Sequence, residues 1–73
     1  MDEWRELSAA VVSVAVKDYR FVCRKLKTNP EDSITKGEMG RLKRFFSDPG
    51  NVYLTYLDID GRRVLDRLSE RFG

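Results

Sequence analysis

The 73 residues include 41% hydrophobic and 36% charged side chains, with a net charge of +2, one cysteine and no histidine. This composition is too apolar for a disordered chain and is typical of a small helical domain with many surface charges, so we expect one soluble, all-α domain spanning residues 1–73. Without histidine or a second cysteine, the chain has no intramolecular disulfide, no thiolate or imidazole zinc site, and no Ser-His-Asp or Cys-His nucleophile.

Hydropathy gives no indication of a membrane protein. The longest apolar stretch, residues 9–16, is interrupted by Ser13 and is far shorter than the roughly 20 residues that span a bilayer. Asp2, Glu3 and Glu6 stand where a signal peptide would carry cations. We expect a cytoplasmic protein that is not an enzyme and that uses no membrane, metal, cofactor or small-molecule substrate.

The first predicted helix runs from Asp2 to Lys27, a stretch without proline or glycine in which Asp2 is the expected N-cap. Residues at spacings of three and four form a first apolar stripe, expected to face the core: Val12, Val16, Tyr19, Cys23 and Leu26. A second stripe, joined by Val11, consists of Leu7, Val14 and Phe21. Because the helix would be about 40 Å long, the short segments after it cannot cover both stripes. The second stripe is therefore the predicted partner-binding surface.

The second predicted helix follows the segment Thr28-Asn29-Pro30, which ends the first one because a residue before proline leaves the helical region. Asn29 is the expected capping residue, Pro30 lies in the first turn, and the helix extends to about Ser47. Its expected inner face consists of Thr35, Met39, Leu42, Phe45 and Phe46.

Positive charge is concentrated in the middle of the chain. Residues 17–44 hold nine bases and four acids, a net charge of +5, whereas residues 1–16 hold three acids and one base. This pattern is typical of a solvated basic face, or of a surface that attracts nucleic acid or an acidic protein. Gly37 and Gly40 lie beside Lys36, Arg41 and Arg44. They either mark a frayed first half of the second helix or open its backbone to an anion.

The segment Asp48-Pro49-Gly50-Asn51 predicts a turn. Residues 52–57 favour a strand by propensity, but a strand needs a partner and the chain offers no second candidate. A short helix or an extended connector is therefore expected in residues 49–57, unless two chains pair there.

The segment YLDIDGRRVLDRL, residues 56–68, places two aspartates and a glycine before a basic helix. A calcium loop would need acids at its first and twelfth positions, where this chain has tyrosine and arginine. A catalytic carboxylate pair would need a pocket that a thin domain does not provide. We expect instead that Asp60 is the N-cap of a third helix, with Ile59 and Val64 in a hydrophobic staple and Asp58 as a second anion near the dipole.

The third helix has an apolar face of Val64, Leu65, Leu68 and Phe72. Arg62 is expected to pair with Asp66, four residues on. The arginines Arg63, Arg67 and Arg71 of the third helix either form a row exposed to solvent or bind an anion or nucleic acid. In the second case, Arg41 and Arg44 of the second helix are predicted to contribute to the same contacts.

Three segments, AVVSVAVKDYRFVCRKLKTNP, RFFSD and LDIDGRRVLDRL, together resemble a family of small, largely uncharacterised helical proteins of prophages and conjugative elements in Gram-positive bacteria. The resemblance covers most of the chain and implies an all-helical fold in a bacterial cytoplasm, with no activity to carry over. Family members usually have a tryptophan-tyrosine pair after the phenylalanines, which this chain lacks. Val14 and Phe21 replace residues that are often polar or small in the family, which indicates a contact surface particular to this chain.

Two functions are consistent with these features. The first is a non-enzymatic protein-interaction module of a mobile genetic element, which binds a second copy of itself or a host or defence protein. The alternative is a small nucleic-acid-binding protein that uses the basic surface of its second and third helices, in approximate analogy to a helix-turn-helix. Asp66 and Glu70, which would approach the phosphates, argue against the alternative.

Overall fold

The computed structural model describes residues 2–72, which fold into four helices joined by short connections. They are α1 (Glu3–Thr28), α2 (Ser33–Ser47), α3 (Val52–Tyr56) and α4 (Gly61–Phe72). Within this part of the chain there is no strand, so the prediction of an all-α fold with one long N-terminal helix is confirmed. The connector at residues 49–57 contains the short helix α3. None of the helices in residues 2–72 is long and apolar enough to cross a bilayer.

The long helix α1 begins and ends where the local sequence predicts. The Asp2 carboxylate accepts hydrogen bonds from the backbone N–H groups of Trp4 at 3.1 Å and Arg5 at 3.3 Å, which satisfies two donors that a helix start leaves free. At the other end, the N–H of Asn29 donates to the Lys25 carbonyl at 2.8 Å. With 26 residues, α1 sets the length of a molecule that measures 43 × 20 × 18 Å.

The start of α2 differs from the prediction, because Asn29 is already used to end α1 and Asp32 is the N-cap. The Asp32 carboxylate accepts hydrogen bonds from the N–H groups of Ile34 at 3.1 Å and Thr35 at 3.4 Å, and from the Thr35 hydroxyl at 2.8 Å. The Thr35 hydroxyl is the main reason that the pKa of Asp32 lies below its ordinary value. Placing Asn29 at the cap and Pro30 in the first turn was therefore wrong. A charged cap is also the better match to the helix dipole.

One hydrophobic core joins the four helices. Its buried members are Val12, Ala15, Tyr19, Val22, Cys23, Met39, Phe46, Leu54 and Leu68. All five residues of the first predicted stripe of α1 belong to this core or pack against it, and the five predicted inner residues of α2 are buried or partly buried. The Tyr19 and Ser69 hydroxyls share a hydrogen bond of 3.1 Å between α1 and α4. The periodicity therefore identified the correct inner faces.

A buried asparagine closes the turn between α2 and α3. Asn51 Oδ1 accepts hydrogen bonds from the N–H groups of Tyr53 at 3.0 Å and Leu54 at 3.1 Å, while Nδ2 donates to the Phe45 carbonyl at 2.8 Å. Because this amide caps α3, a segment with strand propensity begins as a helix. The predicted turn at residues 48–51 is confirmed.

The helix α3 ends in a Schellman motif that contains Asp58. The N–H of Ile59 donates to the Leu54 carbonyl at 3.0 Å, and the N–H of Asp58 donates to the Thr55 carbonyl at 3.1 Å. Asp58 has a φ of 56°, the left-handed conformation that this motif requires. The first aspartate of the segment LDIDG therefore has a structural role at the end of α3.

The second aspartate, Asp60, is the N-cap of α4, as predicted. Its carboxylate accepts hydrogen bonds from the N–H groups of Arg62 at 3.1 Å and Arg63 at 3.4 Å. The expected ion pair between Arg62 and Asp66 is not formed within 4.0 Å in the described residues. The start of α4 is thus stabilised by its cap, without that side-chain pair.

Replacing Asp58 with glycine is expected to stabilise the protein by roughly 0.5 kcal/mol and to raise the Tm by about 2–4 °C. Glycine avoids the strain energy of roughly 1 kcal/mol that an L residue has in the left-handed conformation. Part of this gain is lost because glycine also makes the unfolded chain more flexible. Thermal denaturation followed by circular dichroism measures the change. Asp58→Ala is the control and should not stabilise; an equal gain from alanine would contradict this explanation.

Candidate protein-interaction surface

One face of α1 is left uncovered by the rest of the described chain. Trp4 is 62% exposed, Leu7 49%, Val14 55% and Phe21 56%. These four residues are called the α1 stripe. Three of them are the predicted partner-binding residues. Trp4 was missed in the sequence, although it precedes Leu7 by three residues, a spacing that places both on neighbouring positions of one helix face.

The α1 stripe is exposed because the core occupies another side of the same helix. At about 100° per residue, Val14 points roughly 160° away from the buried Val12, and Phe21 points roughly 160° away from the buried Tyr19. Helices that pack on Val12 and Tyr19 therefore leave Val14 and Phe21 more than half exposed, although Phe21 also lines the groove between α1 and α2. The stripe is a second apolar face on a helix whose first apolar face is already buried.

Charge is divided along α1. Residues 2–16 hold three acids and one base, a net charge of −2, whereas residues 17–28 hold five bases and one acid, a net charge of +4. The bases are Lys17, Arg20, Arg24, Lys25 and Lys27, and all are exposed. The Lys25 ammonium lies 4.9 Å from the centroid of the Phe21 ring, at the basic end of the stripe. The α1 stripe therefore runs from an acidic end to a basic end.

The acidic end of α1 is hydrogen-bonded to α3. The Tyr56 hydroxyl donates to the Asp2 carboxylate, and this bond is the main reason that the pKa of Asp2 lies below its ordinary value and that the pKa of Tyr56 is raised. Because the pKa of Asp2 is lowered on folding, its stabilising effect is complete above the ordinary pKa and is lost as the pH falls through the folded value. At neutral pH this contact holds the start of α1 against α3.

The predicted anion-binding residues lie in three different places. Arg41 lines a groove between α1 and α2 that also contains two acids, and Arg44 lines a depression beside the turn between α2 and α3. Arg67 and Arg71 line a groove between α1 and α4, and Arg63 is exposed on α4. The bases of α2 and α4 therefore do not line a common groove, and α3 stands between those helices in the chain.

The groove between α1 and α4, called the α1/α4 groove, combines an apolar floor with a cationic rim. Its floor consists of Val16, Val64, Leu68 and Phe72, and its rim of Lys17, Arg20, Arg67 and Arg71. The guanidinium carbons of Arg20 and Arg71 lie 5.4 and 5.8 Å from the Phe72 ring centroid, within cation–π range. None of these eight residues is acidic. Sequence reasoning missed Lys17 and Arg20 because their place beside α4 depends on packing between distant parts of the chain.

Carboxylate and thiol groups are dispersed in the described chain. Among residues 2–72, no group of three or more His, Cys, Asp or Glu side chains is placed to hold a metal ion. Cys23 is buried in the core, and Asp58 and Asp60 belong to helix ends. In this part of the chain these groups do not form a site, whereas the α1 stripe brings together apolar side chains and the α1/α4 groove brings together apolar and cationic ones.

A scan of protein-family models finds no match to this chain, and searches of curated proteins and of solved structures find none. The resemblance to proteins of prophages and conjugative elements stays a prediction.

Proposed function

We propose that this protein is a non-enzymatic protein-interaction module and that the α1 stripe is its binding surface. The observation that carries this proposal is that four large apolar side chains along one helix face are 49–62% exposed, while the core of the protein is complete without them. Single exposed apolar residues are ordinary, but several of them aligned on one helix face typically mark a site of protein contact, although here the exposed Asp18 lies between Val14 and Phe21.

The energy available from the α1 stripe is moderate. Covering the exposed parts of these side chains removes on the order of 400 Å² of largely apolar surface, worth about 10 kcal/mol before an association cost of about 4–15 kcal/mol. Apolar contact alone is therefore sufficient only for weak binding. The charges that flank the stripe decide which partner it prefers.

The biological setting of the proposal is a mobile genetic element. The resemblance to proteins of prophages and conjugative elements supports a cytoplasmic module that occupies the surface of another protein, whether a second copy or a host or defence protein. Such a module needs a binding face and a stable fold, and no catalytic groups.

Site-specific photocrosslinking tests the proposal. Benzoylphenylalanine replaces Phe21, and a bacterial lysate is added to the purified protein before irradiation. We expect protein adducts that resist nuclease. They should be at least tenfold more abundant than when benzoylphenylalanine replaces Ser13. Ser13 is the control because it is exposed on α1 outside the stripe.

A charged substitution in the same experiment tests the role of the stripe. Val14→Glu should reduce the adducts at position 21 at least tenfold, because an ionised side chain is costly to bury against apolar groups, whereas Ala9→Glu on another exposed face should not. Circular dichroism checks that both variants keep their helicity. Equal adduct yields at positions 13 and 21, or adducts that nuclease removes, would count against a protein-binding stripe.

The α1/α4 groove favours nucleic-acid binding as a second candidate function. Its rim carries four bases and no acid around an apolar floor, a combination suited to phosphates and to the face of an unpaired base. Fluorescence anisotropy with labelled single- and double-stranded oligonucleotides tests it: four phosphate contacts predict a slope of about −3 to −4 for the logarithm of affinity against the logarithm of salt concentration. Absence of binding at low salt would remove this candidate.

A further inference from the structure

We infer that the partner of the α1 stripe is a second copy of this chain, and that the two α1 helices pack antiparallel with Val14 on the two-fold axis. The inference rests on the proposed function and names the partner for its surface. Two independent features of α1 lead to it, the symmetric spacing of the stripe and the division of charge along the helix.

Three of the four residues of the α1 stripe are spaced symmetrically about Val14. Leu7 and Phe21 each lie seven residues from Val14, so reversing the helix direction about Val14 places Leu7 of one copy opposite Phe21 of the other. The central layer then contains Val14 of both copies. Seven residues correspond to two helical turns with a rotation of only about 20°, so all three layers remain on one side of α1. A two-fold interface requires a surface that is complementary to itself, and this spacing meets that requirement.

The charge distribution selects the antiparallel orientation. The N-terminal part of α1, residues 2–16, has a net charge of −2, and residues 17–28 have a net charge of +4. Antiparallel packing places each acidic part beside the basic part of the other copy, whereas parallel packing would bring like charges together. Complementary charge across an interface favours the correct orientation and disfavours the wrong one. Antiparallel helices also bring opposite ends of their dipoles together.

One further pair follows from the same axis. Glu3 and Lys25 each lie eleven residues from Val14, so Glu3 of one copy lies opposite Lys25 of the other. Both residues lie within about 20° of the direction of Val14 around the helix, and both side chains are exposed. This pair therefore closes both ends of the apolar interface with a favourable contact.

Sedimentation equilibrium tests whether the chain forms a dimer. The full chain should give a mass of about twice 8.5 kDa.

Single-cysteine crosslinking tests the orientation. Mild oxidation should link Val14→Cys chains into a covalent dimer. Leu7→Cys and Phe21→Cys should each fail to link, because the two copies of either residue lie about 21 Å apart along the helix and a disulfide needs Cα atoms within about 7 Å. The double variant with cysteine at positions 7 and 21 should link. Ser13→Cys measures collisional background, and the natural Cys23 is buried.

The outcomes separate this inference from the proposed function. A monomer at all concentrations overturns the dimer and leaves the photocrosslinking result to decide whether the stripe binds another protein. A dimer that links at each of the three single positions is parallel and overturns the orientation. A dimer in which Val14→Cys links no better than Ser13→Cys uses another interface and also overturns the inference.

Charge exchange tests the pairing of Glu3 with Lys25. Glu3→Lys and Lys25→Glu should each weaken the dimer at least about fivefold, because each replaces two attractive contacts with repulsive ones. The double variant should recover the dissociation constant of the natural chain to within about twofold, since each copy then carries both exchanged charges. Glu70→Lys, on α4, is the matched control and should have no such effect. A double variant as weak as the single ones would overturn the pairing.

Discussion

Replacing Gly61 with alanine is expected to destabilise the protein by about 3 kcal/mol and to lower the Tm by about 12 °C or more. Gly61 is the buried first residue of α4. A Cβ atom there would overlap the backbone carbonyl oxygen of Phe46 and would lie 2.8 Å from both the Phe46 carbonyl carbon and Leu54 Cδ1. Because two of these three atoms belong to the backbone of α2, the clash cannot be relieved by a side-chain rotation.

The same substitution elsewhere provides a matched control. Gly37 and Gly40 lie in α2, where a Cβ would meet nothing within 4 Å. Alanine at either position is expected to stabilise the protein by about 1 kcal/mol because it is the better helix former. Urea denaturation of the three variants measures the difference. A loss below about 1 kcal/mol for Gly61→Ala would show that α2 and α4 can separate at low energetic cost, contrary to the close packing at Gly61.

The features that the sequence predicted correctly depend on neighbours in the chain. The cap at Asp2, the end of α1 before Pro30 and the cap at Asp60 each involve residues within four positions of one another. The inner faces of α1 and α2 follow from the helical period, which is likewise a local property. The N-cap of α2 was placed wrongly at Asn29. It is Asp32, whose side chain bonds both the N–H and the hydroxyl of Thr35.

The features that the sequence did not reveal depend on how distant helices meet. In the sequence, Gly61 is only the residue after the predicted cap Asp60, and the position of the Phe46 carbonyl shows why a side chain is excluded there. In the same way, Lys17 and Arg20 could be placed on α1 but not beside the arginines of α4. The exposed α1 stripe was predictable because it follows from an excess of helix length over the rest of the chain, whatever the arrangement of the other helices.

Replacing Phe46 with alanine is expected to remove most of the stability of the fold. Phe46 is 2% exposed and is among the largest fully buried side chains in the described part of the protein. Truncation of a buried phenylalanine costs about 3–5 kcal/mol, whereas 73 residues at roughly 0.05–0.15 kcal/mol each give a total stability of roughly 4–11 kcal/mol. The variant is therefore expected to unfold near or below physiological temperature.

The neighbouring Phe45 is the control for Phe46. Its ring meets the Phe46 ring edge to face, with centroids 5.1 Å apart, but it is only partly buried. Phe45→Ala should therefore cost less than Phe46→Ala, and Phe46→Leu, which keeps most of the volume, about 1–2 kcal/mol. Urea denaturation followed by circular dichroism ranks the three variants. Equal losses at the two phenylalanines would mean that the core does not centre on Phe46. A large loss confined to Phe46 would support a thin core that depends on one aromatic side chain. A chain with such a core has too few apolar residues left over to cover the second apolar face of α1.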